Sequence, residues 1–316
     1  MPRMDEIERI ERRLKLHDVR VLITVVEAGS MHKAAQRLRT SQPAISRTIA
    51  DLEHSIGVRL LERSPRGIQP TPYGRVFVKR GVAAFDEFRQ GMKDIRFLAD
   101  PSTGELQIGC SEAMAAGPVL TVIEQLTWQH PRLAFHVATG PAAILLRKLT
   151  ERHVELVISR STDVVAGEQT YVGDLFEDNV VVAAGAQSRW ARRRRIKLDE
   201  LVNEPWVLPA DGSAVGAIML EAFRARRLAP PAAAVVMESA NIRARLAATG
   251  RFLTAIPEFS LTLPRRDPSL KALPVELPGA RRMMRIISLS NRSLSPLAEL
   301  FIESMRALTK PLAKGK

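Results

Sequence analysis

Cysteine is nearly absent from this 316-residue chain. With Cys110 alone, neither a disulfide framework nor a multi-cysteine metal site can form. Aromatic residues make up only 5% of the chain, too few for a surface that stacks successive bases on rings. The six histidines stand at 17, 32, 54, 130, 136 and 153, with no pair at helical ligand spacing, so no zinc site is expected. No apolar run approaches the roughly 18 residues of a membrane span. The opening stretch MPRMDEIERIERRLKL lacks the apolar core of a secretion signal. No membrane association, a cytoplasmic location and no cofactor are therefore expected. Acidic residues are also scarce, 34 against 47 Lys and Arg, a net charge of +13. That excess calls for a polyanionic partner, though charge by itself does not say which. The length allows two or three domains and a core large enough to need no covalent staples.

The charge is unevenly placed. Residues 20–80 hold eleven basic residues and the four acids Glu27, Asp51, Glu53 and Glu62, so 11 − 4 = +7 of the total lies in about a fifth of the chain. The run Arg192–Arg195 is the largest concentration elsewhere, and reads either as a second anionic contact or as a solvated face.

The basic third has a helical pattern with clear punctuation. Residues 5–15 place acids four positions ahead of bases (Asp5–Arg9, Glu8–Arg12, Glu11–Lys15), which supports an exposed helix. Val19, Leu22, Ile23 and Val26 then recur at helical spacing, and Gly29 stops that helix. Ser30 can cap a short helix, MHKAAQRL, that buries Ala34, Ala35 and Leu38. After the turn Arg39–Ser41 a further helix starts at Gln42-Pro43. Its apolar face is Ala44, Ile45, Ile49, Leu52 and Ile56, and Gly57 ends it. Two short helices about a tight turn form a helix-turn-helix. Gln42, Ser46, Arg47 and Asp51 stay outside its core, and side chains near the start of a second helix are those that reach base edges. Gln suits adenine, and Arg suits guanine or phosphate. Two apolar segments flanking Ser64-Pro65-Arg66-Gly67 predict a hairpin wing that carries Arg63 and Arg66. A generic helical subdomain with a basic face is the plainer alternative.

From Ala34 to Gly74 the chain carries AA-x-x-L, QPAIS-x-x-I-x-x-LE, G-V-x-LLER and a closing T-x-x-G. This long signature resembles the winged helix-turn-helix of the LysR-type transcriptional regulators. Leu61 and Met31 stand where that family usually has Phe, and both keep apolar bulk. The resemblance implies DNA contacts at Gln42, Pro43, Ser46 and Arg47, wing contacts at Arg63 and Arg66, and phosphate contacts at Ser30 and Lys33.

Between Tyr73 and Ala99 there is no proline, and Val78, Phe85, Met92 and Ala99 recur every seven residues beside a second row, Gly81, Phe88 and Ile95. The two rows read as a coiled-coil seam, or else as a stripe packed on its own domain. The resemblance implies a dimerisation helix that sets the spacing of two DNA half-sites. Asp100–Gly104 breaks it.

Strand and helix patterns then alternate. Strands are expected in ELQIGC, LAFHVAT, VELVIS, DNVVVAAG, PWVLPA, AAVVMES, RFLTAIP and RRMMRIISLSN, with helices between them at 117–129, 142–151, 198–202, 215–227, 241–248 and 296–308. Alternation of this kind argues for parallel α/β sheets, which bind ligands at the carboxyl ends of their strands. The resemblance implies a two-lobed effector domain like a periplasmic binding protein. The expected division is a winged helix-turn-helix over 1–72, a linker helix over 73–100 and an effector domain over 101–316. Lobe one would take 104–178 and 281–310, and lobe two 179–280. The positions matching the family's cleft are Ser111, Glu112, Ala113, Met114, Gly140, Pro141, Ser159, Arg160, Ser213, Ala214, Ser239 and Asn241. Arg160 could grip a carboxylate bidentately or form a rim ion pair, and Ser239 could contact ligand or cap a helix. The stretches VATGPAAILLRKL and PWVLPADGSAV resemble a subgroup that includes the galactose-binding-protein regulator.

Three rival readings are available. Gly109-Cys110-Ser111-Glu112-Ala113 approximates the nucleophile elbow of an α/β hydrolase, but no histidine follows His153 to complete a triad. A free solute-binding protein would need an export signal and no basic N-terminal third. Cys110 is either a redox sensor or a small apolar filler. The favoured expectation is a homodimeric or homotetrameric regulator that binds double-stranded promoter DNA and a small anionic or sugar-like effector, with RNA polymerase a further partner.

Overall fold

The computed structural model describes residues 8, 10, 12–64, 67–160, 170–210, 212–263 and 267–313, the side chains of 63, 64, 312 and 313 excepted. These form two compact units, Met1–Gly91 and Met92–Lys316. The expected helix over residues 5–15 lies largely outside the described residues.

In the first unit, helix α1 (Leu16–Ala28) ends where Gly29 enters the left-handed region at φ 65° and its N–H closes on the Val25 carbonyl. Helix α2 (Met31–Arg37) follows. Ser30 occupies its N-cap with extended backbone, yet the hydroxyl makes no cap hydrogen bond. Helix α3 (Gln42–Ile56) is capped by Ser41, whose hydroxyl accepts from Ala44 N, and it stops at Gly57, φ 82°. Val21, Leu22, Val25, Ala34, Ala35, Ile45, Ile49 and Leu52 form one buried cluster. Each large member contributes about 1.5–3 kcal/mol by leaving water. Ala44, expected on that inner face, is exposed instead, because its position in the first turn rotates it toward the outer side. The hairpin is present: β1 (Leu61–Ser64) pairs antiparallel with β2 (Gly67–Pro70).

Helix α4 runs from Pro72 to Ala99 and crosses from the first unit into the second. Its expected seam divides. Val78 packs on the helix-turn-helix core, and a Cβ on the buried Gly81 would lie 2.6 Å from Val19 of α1. Phe85 is half-buried with Arg20 above its ring. Those three positions therefore serve their own unit, because α1 lies across them. Farther along, Phe88, Met92, Ile95 and Leu98 are 56–75% exposed, so only this stretch remains as an uncovered stripe.

The second unit holds two five-stranded sheets. The first has the order β4-β3-β5-β12-β6. Its strands are β3 (Thr103–Cys110), β4 (Arg132–Thr139), β5 (Leu156–Ser159), β6 (Thr170–Asp178) and β12 (Arg282–Leu289). The second has the order β11-β7-β10-β8-β9. It comprises β7 (Val180–Gly185), β8 (Trp206–Leu208), β9 (Ala233–Val236), β10 (Leu253–Pro257) and β11 (Leu270–Ala272). Helices α5 (Leu120–Gln129), α6 (Ala142–Thr150) and α9 (Pro296–Ala313) belong with the first sheet, and α7 (Ala214–Ala225) and α8 (Ala240–Ala248) with the second.

The sheets are mixed rather than parallel. β3 runs parallel to β4 and β5, but β12 is antiparallel to both β5 and β6. In the second sheet β8, β9 and β10 are parallel, while β7 and β11 run against them. The reason is topological: β6 leaves the first sheet and β12 returns to it from the second, so these two crossing strands oppose the βαβ direction. β6 and β11 were not expected from the sequence, and the expected helix over 198–202 is a 3₁₀ turn, Leu198–Leu201. Leu106, Ile108 and Cys110 alternate onto one face of β3, where Val122, Leu126, Phe301 and Met305 cover them. The second core is built on Val180, Val182 and Ala184, with Trp206 and Phe223 edge to face at 6.2 Å.

Candidate functional site

Two places in the chain bring polar chemistry together. The first is the outer face of α3. Burying Ile45, Ile49 and Leu52 turns the other side of the helix outward, so Gln42, Pro43, Ser46 and Arg47 are all exposed near its N-terminus. Lys33 on α2 is exposed and Ser30 is half-buried. Arg63 lies on β1, but its side chain and the whole of Arg66 are outside the described residues. Around the face, Arg20, Arg37, Arg39, Arg59, Arg75, Lys79 and Arg80 are also exposed. A helix with few exposed acids in such a setting suits phosphate contact along its flanks and base contact at its start.

What holds this face was only partly visible in the sequence. One carboxylate oxygen of Glu53 accepts from the Leu60 N–H at 2.7 Å and from the Leu61 N–H at 3.0 Å, tying α3 to the root of the wing. The Ile68 N–H reaches the Gly29 carbonyl at 3.0 Å, tying the wing to the end of α1. Gly67 at φ 106° permits that approach, since a Cβ there would meet the same oxygen at 2.7 Å. Thr71 donates to the Arg59 carbonyl and accepts from Gly74 N. Glu53 was part of the recognised signature, but its acceptor role required knowing where the chain returns seven residues later.

The second place lies between the two sheets of the second unit. Ser111, Glu112, Ala113 and Met114 form the turn after β3, and Ser239 and Asn241 sit at the start of α8. Glu112 joins the two. Its Oε1 accepts from Ser239 Oγ at 2.8 Å and from Asn241 Nδ2 at 3.1 Å, and its Oε2 from Ala240 N at 2.7 Å. Behind it Arg243 is buried, donating to the Met237 and Glu238 carbonyls. Burial draws that guanidinium below its ordinary value, and the Glu112 charge opposes the shift.

Other expected cleft residues are placed differently. Ser111 and Ser213 cap their own helical turns, accepting from Met114 N and Gly216 N. Ser239 is both a cap, accepting from Ile242 N, and a partner of Glu112. Met114 is fully buried and Ala113 half-buried in the core of the first sheet, because the turn winds them inward; neither faces a cleft. Gly140 is half-buried with open space beside it, and Pro141 and Ala214 are exposed. Ser159 ends β5.

Arg160 is not free to grip a ligand. It is paired with Asp178, and both side chains are buried. Asp178 also accepts from Phe259 N at 3.3 Å, and the Arg160 guanidinium lies 5.8 Å from the Phe259 ring centre. Burial pushes the Asp178 carboxyl above its ordinary value, while Arg160 and two backbone N–H groups pull the other way. Phe259 follows β10 yet packs into the core of the first sheet, edge to face with Phe176 at 5.9 Å. This cluster sits where β6 passes to β7, and it is the crossing between the sheets rather than a ligand site. The rim alternative for Arg160 has the right kind of partner but the wrong depth.

Cys110 is fully buried, and burial pushes its thiol up to about 12, which removes the thiolate a sensor needs. It is a core filler. In the arginine run, Arg193 pairs with Glu200 at 2.9 Å and stacks on Trp190 with Arg189, while Arg192, Arg194 and Arg195 are exposed. Among the described residues no His/Cys/Asp/Glu group could hold a metal ion, and no helix is long and apolar enough to cross a membrane.

A winged helix-turn-helix followed by a two-sheet α/β binding unit defines a class: DNA-binding transcriptional regulators with an effector-binding domain. The chain belongs to the LysR family. The model for the bacterial regulatory helix-turn-helix protein, lysR family, matches residues 16–75, and that for the LysR substrate binding domain matches residues 99–310. The chain is 27% identical over 299 residues to the HTH-type transcriptional regulator GbpR of Azospirillum brasilense, covering 94% of this chain and 87% of that one. Its fold is like that of full-length OxyR C199D from Pseudomonas aeruginosa, with a TM-score of 0.62 at 22% identity over 92% of this chain and 97% of the other. It is also like full-length CbnR, solved in complex with its target DNA, with a TM-score of 0.53 at 20% identity over 93% and 99%. The resemblance first carried by residues 34–74 is borne out, and the family is one of regulators, not hydrolases.

Proposed function

We propose that this protein is a cytoplasmic regulator acting as a homodimer or homotetramer on promoter DNA. Gln42, Pro43, Ser46 and Arg47 meet base edges in the major groove, Arg63 and Arg66 follow the wing, and Ser30 and Lys33 meet phosphates. The supporting observation is the outer face of α3, which exposes the four expected residues while its other face is buried. The division into 1–72, 73–100 and 101–316 assigns reading, pairing and sensing to successive parts. Lobe one takes 104–178 and 281–310, and lobe two 179–280. The stripe Phe88, Met92, Ile95 and Leu98 is then covered by a second copy, which sets the half-site spacing. A small anionic or sugar-like effector binds between the lobes and favours one arrangement of the DNA-binding units over another. RNA polymerase is the partner through which the change is read.

The test is promoter binding by Arg47→Ala and Arg66→Ala. Both should lose specific binding while circular dichroism and unfolding stay those of the parent. Specific binding by the parent should weaken with a log–log salt slope of about −0.9 for each phosphate neutralised. Undiminished binding by both variants, or a flat salt response, would refute the reading.

A further inference from the structure

We propose that the N-terminus of α8 is a carboxylate-binding site, that its resting occupant is the chain's own Glu112, and that a small-molecule carboxylate displaces Glu112 to switch the cleft. The inference rests on the reading of the interlobe region as the effector site, and it supplies the chemical class of the ligand.

The argument starts from the donors. The first N–H groups of a helix have no partner inside it, and the helix dipole favours negative charge there. In α8 the Ser239 hydroxyl already accepts from the Ile242 N–H. Three donors remain at this end: the Ala240 N–H, the Ser239 O–H and the Asn241 side-chain amide. Glu112 takes all three with its two oxygens, at 2.7, 2.8 and 3.1 Å. Such an arrangement is what a carboxylate ligand would require, and charge-assisted bonds of this kind are the strong ones. A second feature points the same way. Arg243, one turn in, is 3% exposed, its Nε has no hydrogen-bond partner among the described residues, and its charge acts on Glu112. A buried cation behind three converging donors is excessive for a helix cap and suited to holding an anion.

The occupant comes from far away. Glu112 stands 127 residues from Ser239, in the turn after β3 of the first sheet, whereas α8 belongs to the second. Its three bonds all cross from one sheet's side to the other. A side chain whose every hydrogen bond crosses a cleft acts as a latch on that cleft. Because Glu112 is tethered, a free carboxylate competes only while the latch is open, so its apparent affinity is lowered by the open fraction. When a ligand wins, the two sides are joined through the ligand rather than through Glu112, and their separation changes. That exchange is the differential interaction a switch needs. The switch exchanges one carboxylate for another, so it forms and breaks no covalent bond.

The experiment uses the full chain with acetate as the minimal carboxylate, and acetamide and chloride as controls at matched concentration and ionic strength. Glu112→Ala leaves the three donors vacant. Acetate should raise the melting temperature of Glu112→Ala saturably, by a few degrees, and leave the parent unmoved. Acetamide and chloride should do neither. Adding Ser239→Ala and Asn241→Ala should abolish the response. If Glu112→Ala does not fold, Glu112→Asp replaces it, since its carboxylate is one methylene short of the donors. Acetate acting no better than chloride on the folded variant, or acting equally on the parent, would overturn the proposal. Failure of the underlying effector reading looks different: no metabolite in a screen would change the parent's footprint on promoter DNA. A footprint that responds to metabolites while acetate fails to act on the variant would remove the latch and leave the effector cleft standing.

Discussion

Glu53→Ala is the sharpest test of how the DNA-reading face is held. One oxygen of Glu53 accepts two backbone N–H groups, Leu60 at 2.7 Å and Leu61 at 3.0 Å. Leu60 itself is 1% exposed, so water replaces this acceptor poorly. Leaving a buried donor without a partner costs about 1–3 kcal/mol. Two donors, one of them nearer to solvent, put the loss at roughly 2–4 kcal/mol. For a domain of this size that is a fall of about 10 °C or more in the melting transition of the first unit. Glu53→Gln keeps an amide oxygen in the same place and gives up only the charge assistance, so its cost is about 1 kcal/mol. The consequence for DNA follows from what remains. The wing would still hang on the Ile68–Gly29 bond and the Thr71 contacts, but its angle to α3 would no longer be fixed. Specific affinity should therefore fall about tenfold in Glu53→Ala, with non-specific affinity little changed, since the exposed arginines stay. Urea titration followed by fluorescence anisotropy on operator and scrambled duplexes measures both. A Glu53→Ala protein within about 0.5 kcal/mol of the parent would refute the reasoning, because surface substitutions commonly fall in that range. So would a Glu53→Gln protein damaged as badly as Glu53→Ala, since that would make charge rather than acceptor geometry decisive.

The remaining predictions concern the frame. Gly74→Ala places a Cβ 1.9 Å from the Leu60 carbonyl oxygen, a backbone atom that cannot step aside, so the first unit should lose about 3 kcal/mol or more in denaturant titration. Gly91→Ala, with nothing within 4 Å of the new methyl, should instead gain about 0.5–1 kcal/mol of helix stability; a loss would show that the position is covered. Asp178→Asn strands the buried Arg160 and should cost about 3–5 kcal/mol, whereas replacing both by apolar residues should cost far less; equal losses would deny the ion pair its part. Cys110, its thiol pushed up to about 12, should resist a disulfide reagent at pH 8 until the protein is unfolded, and rapid stoichiometric labelling of the native protein would contradict its burial.

The reading face was legible because its signals are local. Gly29 and Gly57 stop their helices as expected, and Ser41 caps α3 as its place before Gln42-Pro43 allows. The period of Ile45, Ile49 and Leu52 by itself decides which side turns outward and so exposes Gln42, Ser46 and Arg47. Ala44 was misjudged because a small apolar residue in the first turn carries little hydrophobic weight either way. The seam of α4 failed in half its length for a different reason. A heptad pattern shows which side of a helix is apolar, but not which neighbour covers it, and Gly81 turned out to meet α1.

The sequence by itself determined the class of the protein, the position of its DNA-reading helix and the alternation of strand and helix after residue 103. These depend on periodicity, caps and turn residues within a few positions of each other. Only the tertiary structure decided what Glu112, Arg160 and Phe259 do. The first two fell on cleft positions, and both look like groups for a ligand. One is held by three donors 127–129 residues away, and the other by Asp178 at the crossing of the sheets. Phe259 belongs by sequence to the second sheet and by packing to the core of the first. Their roles are fixed by which strands leave one sheet for the other and return. That crossing sets distances between groups far apart in the chain, and no local pattern encodes it.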